Sequence, residues 1–184
     1  ARKNRKIGQA SYQNTAYGIL MNNTNLAVRA EIRPLERQDI AEATAVMKRA
    51  FDDDSRRHLN QETGGPPGYD TGEFLRKNGF NRAARSFKAV VDGAIAGVII
   101  VFPGKDGNHY LGCMFTDPDR QRQGIGRALF GYVEQTFPGS SWKLDTPIFA
   151  KSNHKFYEQK CGFKKIGKQA AEDGMPCVIY AKEY

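Results

Sequence analysis

From Leu26 to Arg33 apolar and polar residues alternate with the period of a strand, and Pro34 ends the run. Asp39 then stands as a candidate N-cap for a helix that carries Ile40, Ala43, Val46, Met47 and Ala50 on one face. Between Asp52 and Gly72 the hydrophobic period is lost. The run Gly64-Gly65-Pro66-Pro67-Gly68 is turn-forming, so a long loop is expected there, next to a short helix from about Thr71 to Asn78. Strand character returns in Phe87 to Val91, Ile95 to Phe102 and His109 to Thr116. Asp92-Gly93 and the segment Gly104 to Gly107 supply tight turns between them, which predicts an antiparallel meander. A helix (Gly124 to Thr136), a strand (Trp142 to Thr146), a helix (Asn153 to Lys160) and strands around Phe163 to Gly167 and Cys177 to Ala181 complete the order β-α-α-βββ-α-β-α-ββ. A strand-helix-strand passage after an antiparallel run needs a parallel crossover. The expected class is therefore α/β (α+β), a mixed sheet flanked by helices.

A length of 184 residues suits one domain. Residues 1–25 are polar and aperiodic except for Tyr17-Gly18-Ile19-Leu20-Met21. They read as an N-terminal extension, an expression remnant or a strand added to a sheet edge, with Met21 a candidate natural start; residues 26–184 form the domain. No run approaches the roughly 18 apolar residues of a membrane span, and the basic N-terminus leads into polar sequence, so the expectation is a cytoplasmic protein without membrane contact. Cys113, Cys161 and Cys177 lack the spacing of a zinc site or a disulfide scaffold, so reduced thiols and no metal are expected. Half of the net charge of +8 lies in the first six residues. That gives little support for nucleic-acid binding. The remaining positive balance better suits attraction of a phosphate-rich ligand.

One segment has the chemistry for such a ligand. After Thr116 the chain runs Asp117-Pro118-Asp119-Arg120-Gln121-Arg122-Gln123-Gly124-Ile125-Gly126-Arg127 into the predicted helix. Two glycines at a helix start let the backbone approach a ligand, and the unpaired N–H groups of the first turn are anion donors. Arg122 and Arg127 would add charge-assisted contacts. A dinucleotide-binding turn fits poorly, because Leu129 stands where a third glycine belongs and the motif comes late in the chain. A Walker-type loop fails because Asp106 follows Gly104-Lys105.

The run Thr116 to Gly126 resembles the cofactor motif of the GNAT superfamily of acyl-CoA-dependent N-acetyltransferases. Asn153-His154-Lys155-Phe156-Tyr157-Glu158-Gln159-Lys160-Cys161-Gly162-Phe163 resembles that family's later helix and following strand. Two motifs in order, on the element order above, carry the resemblance over about Leu26 to Tyr184. Thr116 and Gln121 depart from the commoner Val and Arg without removing a backbone donor. The resemblance implies a single N-acetyltransferase domain that takes acetyl-CoA as acyl donor. It implies a pyrophosphate site at Gln121, Arg122, Gln123, Gly124, Ile125, Gly126 and Arg127, backbone bonds from Met114 and Thr116 to the pantetheine arm, and cofactor contact by Asn153.

Acyl transfer to an amine needs the amine neutral and a proton for the departing thiolate. An alkyl ammonium titrates near pH 10.4, so a base must take its proton directly or through water. Tyr157 matches the family's helix tyrosine and can donate that proton. Asp145 lies at the end of the strand before the second motif, where some members carry a catalytic carboxylate. His109, Glu62, Asp70 and a water chain are rivals for the base. A covalent route through Cys113 is disfavoured, because Cys113 alternates with Leu111 and Phe115 as a core thiol and His109 is too distant to touch it.

Residues 52–73 set Asp52, Asp53, Asp54, Glu62, Asp70 and Glu73 against Arg56 and Arg57. This acidic loop would line the acceptor side and draw in a cationic amine, with Glu62, Asp70 and Tyr69 shaping the pocket. A small-molecule amine is the favoured acceptor. A peptide amine is the alternative, since Asp117-Pro118-Asp119 with Gln121-Arg122-Gln123-Gly124 is similar to the ribosomal-protein N-terminal acetyltransferase branch. A catalytically inactive acyl-CoA sensor is a further alternative, and a homodimer is compatible with each.

Overall fold

The fold is that of a computed structural model, which describes residues 17–18, 30–171 and 174–184. Strands β1 (Tyr17–Gly18) and β2 (Glu31–Pro34) precede helix α1 (Ile40–Leu59). The meander β3 (Arg85–Val91), β4 (Ala94–Phe102) and β5 (Asn108–Thr116) follows. Helix α2 (Ile125–Thr136), β6 (Ser141–Pro147), α3 (Lys151–Cys161), β7 (Lys164–Ala170) and β8 (Pro176–Glu183) complete the chain. The sheet order is β1-β2-β3-β4-β5-β6-β8-β7, with β5 and β6 parallel and every other neighbour antiparallel. The expected mixed sheet with a parallel step is present. The boundary drawn at residue 25, like Leu26 to Arg29 of the expected first strand, lies outside the described residues. Among the described residues no helix is long and apolar enough to cross a membrane.

β4, the most apolar strand, is buried on both faces. Val101 and Ile99 join Leu129, Phe130, Val133 and Trp142 in a core beneath α2 and α3. Val98 and Ile100 join Val46, Met47 and Leu75 beneath α1 on the other face. The face of α1 read from the periodicity is the one that packs.

Three local expectations change. Asp39 stands at the N-cap position of α1 as expected but also ends a 3-10 turn, Arg37–Asp39, and its carboxylate makes no capping bond to α1: it accepts from the Glu36 N–H at 2.7 Å and pairs with Lys88 at 2.6 Å. The short helix is a π-helical turn, Leu75–Gly79, anchored by fully buried Leu75. The loop expected from Asp52 begins eight residues later, because α1 continues to Leu59 and stops at Asn60 in left-handed backbone, φ 55°. Its last turns are held by pairs that hydrophobic periodicity does not register. Lys48–Asp52, Asp53–Arg57 and Asp54–His58 are all spaced i,i+4.

Asp52 then organises the loop that follows. Its buried carboxylate accepts from Lys48, from the Tyr69 hydroxyl at 2.6 Å and from the Gly64 N–H at 3.2 Å. Burial alone would raise its pKa, but Lys48, Tyr69 and Gly64 together hold it below the ordinary carboxylate range. Because the folded pKa is depressed, this carboxylate stabilises the fold above the unfolded-state value near 4, and the contribution disappears as pH falls through the folded one. Asp52→Asn should therefore cost about 2 kcal/mol at pH 7 and progressively less towards pH 3. Urea unfolding of both proteins across that range measures the difference, and a deficit independent of pH would remove the carboxylate's role.

Candidate active site

Parallel pairing of β5 with β6 covers Asn108↔Ser141, His109↔Trp142 and Tyr110↔Lys143 and then stops. β5 continues to Thr116 and β6 to Pro147 without pairing, so the two strands part towards their C-terminal ends. The backbone groups of β5 that would have met β6 are left for another partner. A second irregularity lies in the same stretch. Val101 pairs with Leu111 but Ile100 pairs with Cys113, so Gly112 is an extra residue in a β-bulge. The bulge reverses the alternation. Leu111 and Met114 join the core under α2, whereas Cys113 and Phe115 face α1. The expected sharing of one face by Leu111, Cys113 and His109 is thereby corrected. His109 is buried against Trp142, its Nδ1 accepts the Gly104 N–H at 3.1 Å and its Nε2 is directed at the Pro138 carbonyl at 3.5 Å, which removes it from the candidate bases.

At the C-terminal end of β5 the loop is braced from both sides. The Asp117 N–H bonds to the Ala96 carbonyl at 2.9 Å, and its buried carboxylate accepts from the Asp119 N–H at 3.2 Å and from Arg49 of α1. Arg120 pairs with Asp92 at 2.9 Å. Beyond this corner the backbone turns left-handed twice, at Arg122 (φ 63°) and Gly124 (φ 83°). For Arg122 that conformation costs on the order of 1 kcal/mol. The first N–H to close onto a carbonyl is that of Ala128, which bonds to Gly124 at 2.9 Å. Among the described residues no N–H from Arg122 to Arg127 has a backbone partner. Ile125 plugs this turn into the core. The result is a concave row of donors at a helix N-terminus, beside exposed Gln121, Arg122 and Gln123.

The two glycines of this loop do different work. A side chain on Gly124 would meet nothing within 4 Å, so the residue is required by its positive φ alone. Gly126 has ordinary helical backbone, and a Cβ there would lie 3.2 Å from the Phe156 ring, so this glycine lets α3 approach α2. Arg127 departs from expectation. It lies along α2 over Gly131, with Nη1 3.7 Å from Glu134, two turns away from the loop. Glu134, which also accepts from Lys182 and Tyr184, is the charge that draws it there. Arg57 of α1 instead reaches the loop, 3.4 Å from the Gln121 side-chain oxygen. Nothing in the local sequence pointed to it.

Tyr157 of α3 packs among Phe156, Phe163 and Tyr180, with ring centroids at 5.4, 5.9 and 6.3 Å, and is 6% exposed. Burial pushes its hydroxyl well above the ordinary phenol range, and the nearness of Cys113, Cys161, Tyr110 and Asp145 pushes the same way. It stays protonated across any working pH. Burial also lifts the Cys113 thiol to about 12, which leaves it an inert thiol. Asp145 lies inside β6, paired with Ile179 of β8, and does not end the strand. Its carboxylate accepts from the hydroxyl of Tyr110, and burial followed by this bond raises the Tyr110 pKa. Tyr110 was not singled out in the sequence; its partner lies 35 residues away. Asn153, in the first turn of α3, donates to Thr146 of β6 at 3.3 Å.

The acidic segment does not gather at one mouth. Asp52, Asp53 and Asp54 belong to α1 and are paired internally, and the Tyr69 hydroxyl is committed to Asp52. Asp70 lies in a depression with Ile40, Thr44 and Arg76 at the N-terminal end of α1. That is about 20 Å from His58 at the other end, at 1.5 Å per residue. Glu62 is exposed, its carbonyl accepting from Arg56 near the C-terminal end. The loop runs the length of the helix, so Glu62, Tyr69 and Asp70 do not converge on one pocket.

A mixed sheet that parts beside an N–H-rich helix start is the architecture of acyl-CoA-dependent transferases. The family model described as "Acetyltransferase (GNAT) domain" matches residues 72–184. The chain belongs to the GNAT acetyltransferase family. Among solved structures it is similar to the ribosomal-protein-S18-alanine N-acetyltransferase of Escherichia coli, with 22% identity and a TM-score of 0.65 over 84% of this chain and 93% of that one. It is also similar to PaiA N-acetyltransferase of Thermoplasma acidophilum in complex with coenzyme A, with 16% identity and a TM-score of 0.65 over 84% and 99% of the two chains. At these identities the likeness is one of fold. Uncharacterized protein YrkN of Bacillus subtilis (strain 168) is 30% identical over 70 residues, and the match spans only 38% of each chain.

Gly124→Ala should weaken coenzyme A binding about tenfold, the equivalent of roughly 1.4 kcal/mol of left-handed strain. Gly126→Ala, with helical backbone and a ring that can yield, should stay within about twofold. Calorimetric titration compares the two. Equal losses would mean that the positive φ at Gly124 is not what shapes the site.

Proposed function

We propose that this protein is an acetyl-CoA-dependent N-acetyltransferase acting on a small primary amine by direct attack in a ternary complex. The observation that carries the reading is the Tyr110–Asp145 hydrogen bond at the point where β5 and β6 part, with buried Tyr157 within electrostatic reach of both. The residues fit the donor. The unpartnered N–H groups from Arg122 to Gly126 suit a pyrophosphate, with Arg122 and Arg57 adding positive charge. The free edge of β5 at Met114 and Thr116 suits an amide-bearing arm, with Asn153 of α3 bonded to Thr146 on the parting strand β6. Bound there, acetyl-CoA supplies an activated acyl carbon and a thiolate leaving group.

Asp145, held by Tyr110, orients the ammonium of the acceptor and passes its first proton to water, which leaves a lone pair for attack on the acyl carbon. As the carbon–nitrogen bond forms and the carbon–sulfur bond breaks, Tyr157 gives its proton to the departing sulfur. The second proton from nitrogen restores the phenol. The products are the N-acetylated amine, the free thiol and one proton released to solvent.

Tyr157→Phe should lower kcat by about 100-fold with little change in KM for acetyl-CoA, measured as thiol release. Because burial raises the tyrosine's pKa, kcat/KM should climb with pH as the amine loses its proton, without an alkaline fall near the ordinary phenol value of about 10. Retained turnover in Tyr157→Phe would remove the acid from Tyr157. Cofactor binding without turnover of any amine in the unaltered protein would make it a sensor.

A further inference from the structure

The sheet face that carries Tyr110 and Asp145 ends in a rim formed by the last turn of α1, the β6-to-α3 connection and the start of β8. Ile148 and Met175, 42% and 36% exposed, are brought together by the Ile148 N–H bond to the Pro176 carbonyl at 3.0 Å. Phe149 follows, its ring 6.4 Å from that of His58 on α1. Inside the rim the Phe102 ring lies 6.5 Å from Tyr110. Apolar side chains exposed together around one carboxylate gain when a ligand covers them.

The charges on this rim narrow the ligand further. Asp53 is paired with Arg57 at 2.9 Å, Asp54 lies 3.0 Å from His58 Nδ1, and Asp52 is held by Lys48 and Tyr69. Asp70 lies at the far end of α1. Exposed Arg56 and Arg57 both lie within 4.0 Å of Asp53, exposed Glu62 follows the helix, and exposed Lys143 lies two residues before Asp145 on the same strand face. One ammonium finds a counter-charge at Asp145, and a second, further out, would lie against the side-chain carbon of Ile148, Phe149 and Met175.

Resting on the acetyltransferase reading above, we infer that the acceptor is a monoamine with an apolar body, an alkyl or arylalkyl amine, seated with its ammonium on Asp145 and its body against Ile148, Phe149 and Met175. Polyamines and peptide N-termini are the excluded classes. The former carry a second charge where the rim is apolar, and the latter carry backbone amides where it offers side-chain carbon.

The test is kcat/KM by thiol release with hexylamine, phenethylamine, spermidine and a short alanine-first peptide. The two monoamines should exceed spermidine and the peptide by about tenfold or more. Ile148→Glu, a surface change whose folding is checked by thermal melting, should lower the monoamine values by about tenfold and raise that of spermidine, with KM for acetyl-CoA unchanged. Preference for spermidine or the peptide, or an Ile148→Glu protein with unchanged ranking, overturns this inference and leaves the N-acetyltransferase reading intact. Acetyl-CoA binding with no thiol released by any of the four amines overturns that reading, and the inference with it.

Discussion

The parting of β5 from β6 after three paired residues is the constraint on which the rest of this site depends. A parallel pair that continued to Thr116 and Pro147 would satisfy its own hydrogen bonds and leave no cleft. By stopping at Tyr110↔Lys143 it leaves a strand edge whose polar groups need another partner, and it opens a passage between the two faces of the sheet. Tyr157 is packed in the core on the α2 and α3 side, while Tyr110 and Asp145 are hydrogen-bonded to each other where the seam ends. The bulge at Gly112 serves the same end. It turns Cys113 and Phe115 towards α1 and leaves Met114 on the side of α2, where Gly126 and Phe156 pack.

Two buried carboxylates turn this opening into a shaped site. Asp117 ties the end of β5 to Arg49 of α1 and starts the turn that exposes the row of N–H groups. Asp52 ties the following loop to α1 through Tyr69 and Gly64. α1 therefore packs one core and also braces the loop that leads into α2, sends Arg57 to Gln121 and brings His58 against Phe149. Asp52, Asp53 and Asp54 are each paired within the helix or to the loop beside it.

The element order, the antiparallel meander, the parallel step and the helix start at Gly124-Ile125-Gly126 were legible in the sequence. Each is written in short-range terms: alternation over a few residues, a 3.6-residue stripe, glycines at a turn. The misreadings share a cause. Asp52 to His58 look like loop because they are polar, yet i,i+4 side-chain pairs and one buried carboxylate keep them helical. Leu111 and Cys113 look like face-mates because alternation assumes an unbroken ladder, and a bulge is invisible to it. Arg127 looks like a phosphate ligand because it follows the glycines, but its guanidinium answers to Glu134, two turns on.

What the sequence by itself determined is the list of strands and helices, the family to which the chain belongs and the glycine-bearing start of α2, because these rest on local backbone preferences and on contiguous motifs. Tertiary structure alone decided which side chains share the cleft. Tyr110 meets Asp145 across 35 residues and Arg49 meets Asp117 across 68. Such pairs form only once strand order and the end of the β5–β6 seam bring the segments together, since the charge or hydroxyl of a single residue carries no record of its distant partner.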